Sequence, residues 1–167
     1  AVAEATMQGQ AVSWTATAST TMAAGTTAKF ITPEKTSTAT IDISALTTAS
    51  GTITIDASTA TGATVLKGSK GVVNITGGTG ADAITLETAS GSTGTILGGD
   101  GHDTIDASTK LTTADTIDGG DGNDTLTFTD SDSAVTTLDN VTNIETITFA
   151  NTTTDAGVTT VQALVGA

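Results

Sequence analysis

Gly98-Gly-Asp-Gly-His-Asp-Thr-Ile-Asp106 and Gly119-Gly-Asp-Gly-Asn-Asp-Thr-Leu-Thr127 are two copies of one glycine–aspartate nonapeptide. A third copy, Gly77-Gly-Thr-Gly-Ala-Asp-Ala-Ile-Thr85, lies upstream, and each copy starts 21 residues after the previous one. Self-similarity at a fixed period of this size is the signature of architectures in which each repeat packs on its neighbours. The sequence therefore predicts a solenoid over this region.

The eighth position of each repeat carries a large aliphatic residue, and weaker copies between the repeats keep it. Taken alternately, these residues form two columns with steps of 21 residues, except for first steps of 18 and 20: Leu66, Ile84, Ile105, Leu126 and Ile147 in one, and Ile55, Ile75, Ile96, Ile117 and Leu138 in the other. Two columns indicate two strands per coil with aliphatic side chains facing inward. We predict an all-β fold, a right-handed parallel β-roll (a two-sheet β-solenoid) with about 21 residues per coil.

The composition suits a narrow solenoid core. Of 167 residues about a quarter are threonine and 2% are aromatic; there is no cysteine, which excludes disulfides and thiolate metal sites. The net charge is −13, with five lysines and no arginine. Nucleic acid and anionic lipid are therefore not expected as partners. No apolar run reaches the ~20 residues that cross a bilayer, so direct membrane insertion is not expected either.

The nonapeptide resembles the G-G-x-G-x-D-x-U-x repeat of the RTX family of calcium-binding proteins. The likeness is strong from Gly77 to Thr127 and weaker from Ile41 to Phe149. It implies a parallel β-roll with calcium between successive loops, held by main-chain carbonyls and by the aspartate at position six. The residues that the resemblance assigns to calcium are Gly77, Thr79, Gly80, Asp82, Gly98, Gly99, Asp100, Gly101, Asp103, Gly119, Gly120, Asp121, Gly122 and Asp124.

Elementary electrostatics also favours a cation. Loops one coil apart stack about 4.8 Å from each other, the spacing of hydrogen-bonded strands. This aligns Asp82, Asp103 and Asp124 in one column and Asp100 and Asp121 in a second. Carboxylates at that distance repel by roughly 3–4 kcal/mol per pair at an effective dielectric constant near 20. Carbonyl and carboxylate oxygens are the ligands that Ca²⁺ selects, so calcium binding and folding are expected to be coupled.

Calcium is expected along one edge of the roll only. The loops that alternate with the repeats, at 68–73, 89–94 and 110–115, keep a single aspartate, Asp115, and two of them contain lysine. We predict that this edge is metal-free and that two full sites lie between the three glycine loops. The segment Asn140–Glu145 offers an acid in register but no glycines, which leaves a third, weaker site and a simple cap as alternatives.

No catalytic centre is predicted, and the chain is not expected to be an enzyme. The single histidine, His102, occupies a variable loop position without a Ser-His-Asp or metal-hydrolase pattern around it. The threonines suit the outer face of a twisted sheet. The alternative is a regular threonine array that orders water, as in ice-binding β-solenoids, but the ladder is interrupted by Ala83, Leu97, Asp106 and Asp118.

Three segments are predicted along the chain. They are an N-terminal cap or linker at 1–40, the RTX β-roll at 41–150, and a C-terminal cap at 151–167. The last segment is similar to the uncleaved export signals of RTX proteins secreted in one step by type I secretion. Because the chain begins with neither methionine nor a signal peptide, we expect it to be a fragment or a mature product of something larger.

The Thr/Ala/Gly-rich, cysteine-free, acidic composition is similar to that of RTX proteins of bacterial surface layers (S-layers). This resemblance implies a structural, calcium-stabilised module of a secreted cell-surface protein that folds outside the cell and associates with itself into a lattice or filament. The alternatives are the accessory RTX part of a secreted protease, lipase or toxin, and an adhesin or ice-binding segment.

Overall fold

The structure is a computed structural model of the 167-residue chain. It describes residues 3–6, 11–15, 20–22, 28–31, 38–86, 94–108, 111–112, 114–128 and 138–149. Within these ranges every regular element is a β-strand, and none of them contains a helix that could span a membrane. The predicted C-terminal cap at 151–167 lies outside the described residues.

The strands form two parallel sheets. The first sheet contains β1 (Ala3–Thr6), β3 (Thr20–Met22), β4 (Ala28–Ile31), β6 (Leu46–Asp56), β8 (Lys70–Thr76), β10 (Gly94–Gly101), β12 (Thr116–Gly122) and β14 (Val141–Thr142). The second contains β2 (Ala11–Thr15), β5 (Thr38–Asp42), β7 (Thr64–Lys67), β9 (Ala83–Thr85), β11 (Thr104–Ser108), β13 (Thr125–Phe128) and β15 (Thr146–Phe149). From β4 onward the strands alternate between the sheets, which confirms the predicted all-β, two-sheet solenoid.

The aliphatic column of the second sheet is confirmed at every step. Leu66 pairs with Ile84, Ile84 with Ile105, and so on through Leu126 to Ile147. The first four of these side chains are fully buried, while the neighbouring Thr104, Thr125 and Thr146 project outward or lie at the surface. Burial of each such aliphatic side chain contributes about 1.5–3 kcal/mol, so the ladder of coils is the main source of stability of the roll.

The column of the first sheet is confirmed except at its last member. The members in register are Ile55, Ile75, Ile96 and Ile117. The prediction of Leu138 as the next member is wrong, because Ile117 pairs with Val141. This coil is longer than the repeat, and Leu138 lies in the turn before β14, where its carbonyl accepts a hydrogen bond from the Val141 N–H (3.0 Å).

The two sheets extend upstream of the repeats. Strands β1 and β4 join the first sheet and β2 pairs with β5 in the second. Ala11 pairs with Thr38 and Ala39 with Thr64, so these coils are longer than the 21 residues that separate Thr95 from its partner Thr116. The division into an N-terminal segment, a roll and a C-terminal cap stays a prediction, although β5 runs across its first boundary.

The chain crosses between the sheets at two edges. At the glycine edge, as we call it, it passes from the first sheet to the second through loops 77–82, 98–103 and 119–124. At the opposite edge it returns to the first sheet, and the described residues there include 68–69, 111–112 and 114–115. Functional chemistry is therefore to be sought where the three glycine loops stack.

Candidate metal centre

The second and third glycine loops stack as a continuation of the first sheet. Gly99 pairs with Gly120, and Asp100 with Asp121, beyond the end of the aliphatic part of the strands. Gly99 (φ 107°) and Gly120 (φ 96°) adopt a left-handed conformation that side-chain-bearing residues rarely tolerate. The glycines thus allow the backbone to turn inward while neighbouring loops remain in hydrogen-bonding register.

The aspartates at position six form one buried column, as predicted. Asp82 is 2% exposed, Asp103 1% and Asp124 0%. Each carboxylate accepts a hydrogen bond from the main chain one coil upstream: the Asp82 N–H donates to Asp103 Oδ1 (2.8 Å), and the Asp103 N–H donates to Asp124 Oδ1 (2.8 Å). One oxygen of each carboxylate is therefore fixed by the fold itself.

The second carboxylate oxygens differ between the three aspartates. Asp82 Oδ2 accepts a hydrogen bond from the Gly78 N–H (2.6 Å). Asp103 Oδ2 and Asp124 Oδ2 are buried and have no hydrogen-bond partner. A buried charge without a partner is strongly destabilising, so these two atoms need either a proton or a cation.

Main-chain carbonyls lie beside the two unpartnered oxygens. A Cβ atom built on Gly98 would lie 2.5 Å from Asp103 Oδ2 and against the carbonyl oxygen of Gly119. A Cβ atom on Gly119 would lie 2.6 Å from Asp124 Oδ2 and against the carbonyl oxygen of Asn143. The glycines thus form cradles that a methyl group would fill, each with one carboxylate and one carbonyl oxygen, the hard oxygen donors that suit calcium.

The described part of the chain contains no group of three or more His, Cys, Asp or Glu side chains that could hold a metal ion. Side chains alone therefore do not complete a site on the glycine edge, and main-chain carbonyls have to supply the remaining donors. Calcium accepts such mixed sets, whereas zinc prefers His and Cys side chains.

Burial in this arrangement raises the pKa of two of the carboxyl groups, those of Asp103 and Asp124. The pKa of Asp103 is raised to about 6, mainly by burial and also by the charges of Asp82 and Asp124, against the lowering effect of the hydrogen bond from the Asp82 N–H. The pKa of Asp124 is also raised, mainly by burial and secondarily by the charge of Glu145. Without a cation, both carboxyls therefore favour the neutral form more than an exposed aspartate does.

The predicted ligand set divides into two groups in the structure. The position-one glycines and position-six aspartates converge beneath the loops. The position-three side chains, Thr79, Asp100 and Asp121, are exposed, and Asp100 and Asp121 stand in the predicted second column. The remaining predicted residues, Gly80, Gly99, Gly101, Gly120 and Gly122, form the backbone of the loops between these two groups.

The opposite edge satisfies its single aspartate without a metal. Asp115 is 2% exposed, and its Oδ1 accepts a hydrogen bond from the Gly94 N–H (2.7 Å). Its Oδ2 accepts hydrogen bonds from the N–H (2.7 Å) and hydroxyl (3.0 Å) of Thr112. Both oxygens are thus partnered by the protein, and the prediction that this edge is metal-free has a physical basis.

His102 lies on the exposed surface of the glycine edge. Its Nδ1 accepts a hydrogen bond from the Asn123 N–H of the next coil (2.9 Å). The histidine therefore links two stacked loops.

Sequence reasoning missed two residues that lie beside the aspartate column. Thr64 occupies the place of a position-six aspartate one coil upstream, and its N–H (2.7 Å) and hydroxyl (2.9 Å) donate to Asp82 Oδ1. Its signal was the 18-residue step from Leu66 to Ile84, which also separates Thr64 from Asp82. The other residue is Asn143, which the repeat frame placed at the wrong loop position because the last coil is longer.

The matched family model describes RTX calcium-binding nonapeptide repeats (4 copies), and it covers residues 58–89, 87–109 and 112–130. This part of the chain thus matches the RTX repeats, as the glycine–aspartate pattern predicted. RTX repeats bind calcium and are typical of extracellular, secreted bacterial proteins, so the chain contains a calcium-binding structural module. No curated protein and no solved structure is significantly similar to the chain.

Proposed function

We propose that the chain is a structural module of a secreted bacterial cell-surface protein, an S-layer component, in which calcium neutralises the aspartate column and sets the roll. One observation carries the proposal. Asp103 and Asp124 each bury a carboxylate oxygen that the protein leaves without a hydrogen-bond partner. A cation beside each of these two oxygens compensates the buried negative charge, so that binding stabilises the fold.

The coupling fits a protein that is exported before it folds. In calcium-poor surroundings the buried carboxylates repel each other, and the glycine loops have little apolar surface to hold them together. In calcium-rich surroundings binding free energy becomes folding free energy. The residues that would hold the ions are Asp103 and Asp124 with main-chain carbonyls of the adjoining loops.

Self-association into a lattice is supported by composition and by the shape of a solenoid. Among the described strands, β15 lies at the end of the second sheet and pairs with β13 on one side only. Unpaired strand edges of this kind are templates for pairing with another chain. The acidic, cysteine-free chain with few aromatic residues matches the composition expected of an S-layer module.

The ice-binding alternative gains less support from the outward faces of the sheets. Thr104, Thr125 and Thr146 do align in one outward column. The same column continues through Ala83 and Val65, and Val65 exposes 39% of its surface. A continuous, regularly spaced hydroxyl array is therefore confined to a few coils.

The test compares the chain with and without calcium by circular dichroism and electron microscopy. We expect strand signal and ordered sheets or filaments with calcium, and loss of both after chelation. A strand signal unaffected by chelation would contradict metal-coupled folding. Folded material that stays monomeric at high calcium would contradict the lattice role while leaving the calcium-dependent fold intact.

A further inference from the structure

The last coil crosses the glycine edge by a different route from the repeats. Strand β14 ends at Thr142 and β15 begins at Thr146, so only residues 143–145 make the crossing. These residues lie beyond the segment matched by the RTX family model. The family pattern therefore gives no reason to expect a metal site at this crossing.

The unpartnered oxygen of Asp124 nevertheless faces this crossing. It lies in the Gly119 cradle, where the nearest main-chain oxygen from the next coil belongs to Asn143. Asn143 is held in a left-handed conformation (φ 51°), and its side-chain amide donates to Asp118 Oδ1 (2.7 Å). This hydrogen bond fixes the Asn143 backbone with its carbonyl toward the cradle, in a conformation that asparagine tolerates better than most residues.

A second acidic residue from the same coil as Asn143, Glu145, contacts Asp124. Glu145 Oε2 accepts a hydrogen bond from the Asp124 N–H (2.6 Å), as the aspartate carboxylates do one and two coils upstream. Glu145 is exposed, so its carboxylate keeps access to solvent. At the end of the ladder, the buried Asp124 Oδ2 and the Asn143 carbonyl thus lie in the Gly119 cradle, and the exposed Glu145 carboxylate adjoins Asp124 through its N–H.

The upstream end of the ladder is built in the opposite way. Asp82 Oδ1 accepts two hydrogen bonds from Thr64, and Asp82 Oδ2 accepts one from Gly78. The carbonyl of Gly98 lies beside Asp82 Oδ2 as the carbonyl of Gly119 lies beside Asp103 Oδ2. The difference lies at Oδ2: in Asp82 this oxygen accepts the Gly78 N–H, whereas Oδ2 of Asp103 and of Asp124 has no partner. Thr64, which stands where a further aspartate would be, adds a hydroxyl donor to Asp82 Oδ1.

We propose that the calcium ladder is displaced one loop downstream of the nonapeptide repeats. Asp124, Asn143 and Glu145 form a calcium site, and Thr64 closes the upstream end as a metal-independent stop beside Asp82. One ion then lies at Asp103 and the Gly119 carbonyl, and one at Asp124 and the Asn143 carbonyl. The inference rests on the proposed calcium-stabilised function and specifies which residues of this chain serve it.

The test counts calcium ions bound to the full chain by native mass spectrometry and measures their affinity by competition with a chromophoric chelator. Glu145→Gln keeps an acceptor for the Asp124 N–H but removes the charge, and we expect roughly tenfold weaker binding of one ion. Asp82→Asn is the matched variant at the other end, and it is expected to keep the calcium count of the unaltered chain, although loss of the Asp82 charge acts on the neighbouring Asp103. Asp115→Asn, on the opposite edge, controls for the loss of a charge.

A second variant protects the test against misfolding. Asn143→Pro removes the left-handed conformation that directs the carbonyl, whereas Asn143→Gly allows that conformation but loses the hydrogen bond to Asp118. The proline variant is expected to lose an ion, and the glycine variant is expected to keep it with weaker affinity. Weaker binding in Asp82→Asn with no change in Glu145→Gln would overturn the proposal, as would equal losses in both or no loss in either. Absence of calcium binding by the unaltered chain would instead refute the proposed function itself.

Discussion

Both edges of the roll bury aspartates to a similar depth, but they differ in the hydrogen-bond donors that the carboxylates receive. On the opposite edge, Asp115 has both carboxylate oxygens partnered by Gly94 and Thr112. On the glycine edge, Asp103 and Asp124 each have one oxygen partnered and one without a partner. At the opposite edge Thr112 supplies two donors to one carboxylate oxygen, whereas the main-chain groups beside Asp103 Oδ2 and Asp124 Oδ2 are carbonyls, which repel a carboxylate.

The metal-free solution recurs elsewhere in the roll. The Ser44 N–H (3.1 Å) and hydroxyl (2.6 Å) donate to Asp42 Oδ1, and Ser58 makes the same pair of bonds to Asp56 Oδ1 (3.2 and 2.6 Å). Hydroxyl residues thus complete corners in the upstream coils as Thr112 does downstream. These corners thus compensate their aspartates with hydroxyl donors, whereas Oδ2 of Asp103 and of Asp124 receives no donor.

Removal of calcium should produce the largest difference in stability between the coils of the glycine loops and the rest of the roll. With chelator we expect the coils of the glycine loops, residues 94–128, to lose their ordered strands, because two buried carboxylates then lack any partner. Hydrogen exchange followed by mass spectrometry should show loss of protection there first. Equal loss of protection in residues 38–67, whose corners carry hydroxyl donors, would contradict a calcium dependence confined to the glycine loops.

Substitution of a loop glycine in the left-handed conformation should have the next largest effect. Gly120→Ala places a side chain at φ 96° and against the carbonyl of Gly99, and we expect it to lower the free energy of unfolding in calcium by at least about 1–3 kcal/mol. Gly68→Ala is the control at the opposite edge, because its nearest neighbours lie 3.5 Å away without a positive φ. Chemical denaturation of both variants should give a change within about 1 kcal/mol for Gly68→Ala.

Asparagine substitutions should act in opposite senses at the two edges. Asp115→Asn replaces an accepting oxygen by a donor amide beside N–H and hydroxyl donors, and should cost about 1–3 kcal/mol whether or not calcium is present. Asp103→Asn removes the charge that lacks a partner, so it should preserve more strand signal without calcium and weaken the response to calcium. Denaturation with and without calcium checks both variants; a calcium-sensitive Asp115→Asn effect would go against the metal-free assignment of that edge.

Strand register can be predicted from the sequence only where the 21-residue period holds. The 21-residue spacing placed Ile105 and its partners correctly, because a strict repeat fixes register in a solenoid. It failed at Leu138 and at the wider upstream coils, where insertions change the step and no glycine marks the loop. The contrast between Asp82 and Asp103 was beyond reach as well, because both occupy position six and differ only in donors supplied by Thr64 and Gly78.

Acidification should have the smallest effect, and only in the calcium-free protein. The pKa of Asp103 is raised by burial from 3.8 to about 6 in the folded state. The fold therefore binds the proton more tightly than the unfolded chain, and this contribution to stability is complete below 3.8 and is lost as the pH rises through about 6. The strand signal of calcium-stripped protein should increase from about pH 7 to about pH 5, and Asp103→Asn should reduce the increase.

Anomalous X-ray diffraction from crystals grown with calcium, or with a lanthanide in its place, tests the asymmetry between the edges most directly. The structure predicts anomalous peaks beside Asp103 Oδ2 and Asp124 Oδ2 on the glycine edge and none beside Asp115. A peak beside Asp115, or a glycine edge without peaks in calcium-saturated crystals, would show that the hydrogen-bond partners of these carboxylates do not decide where calcium binds.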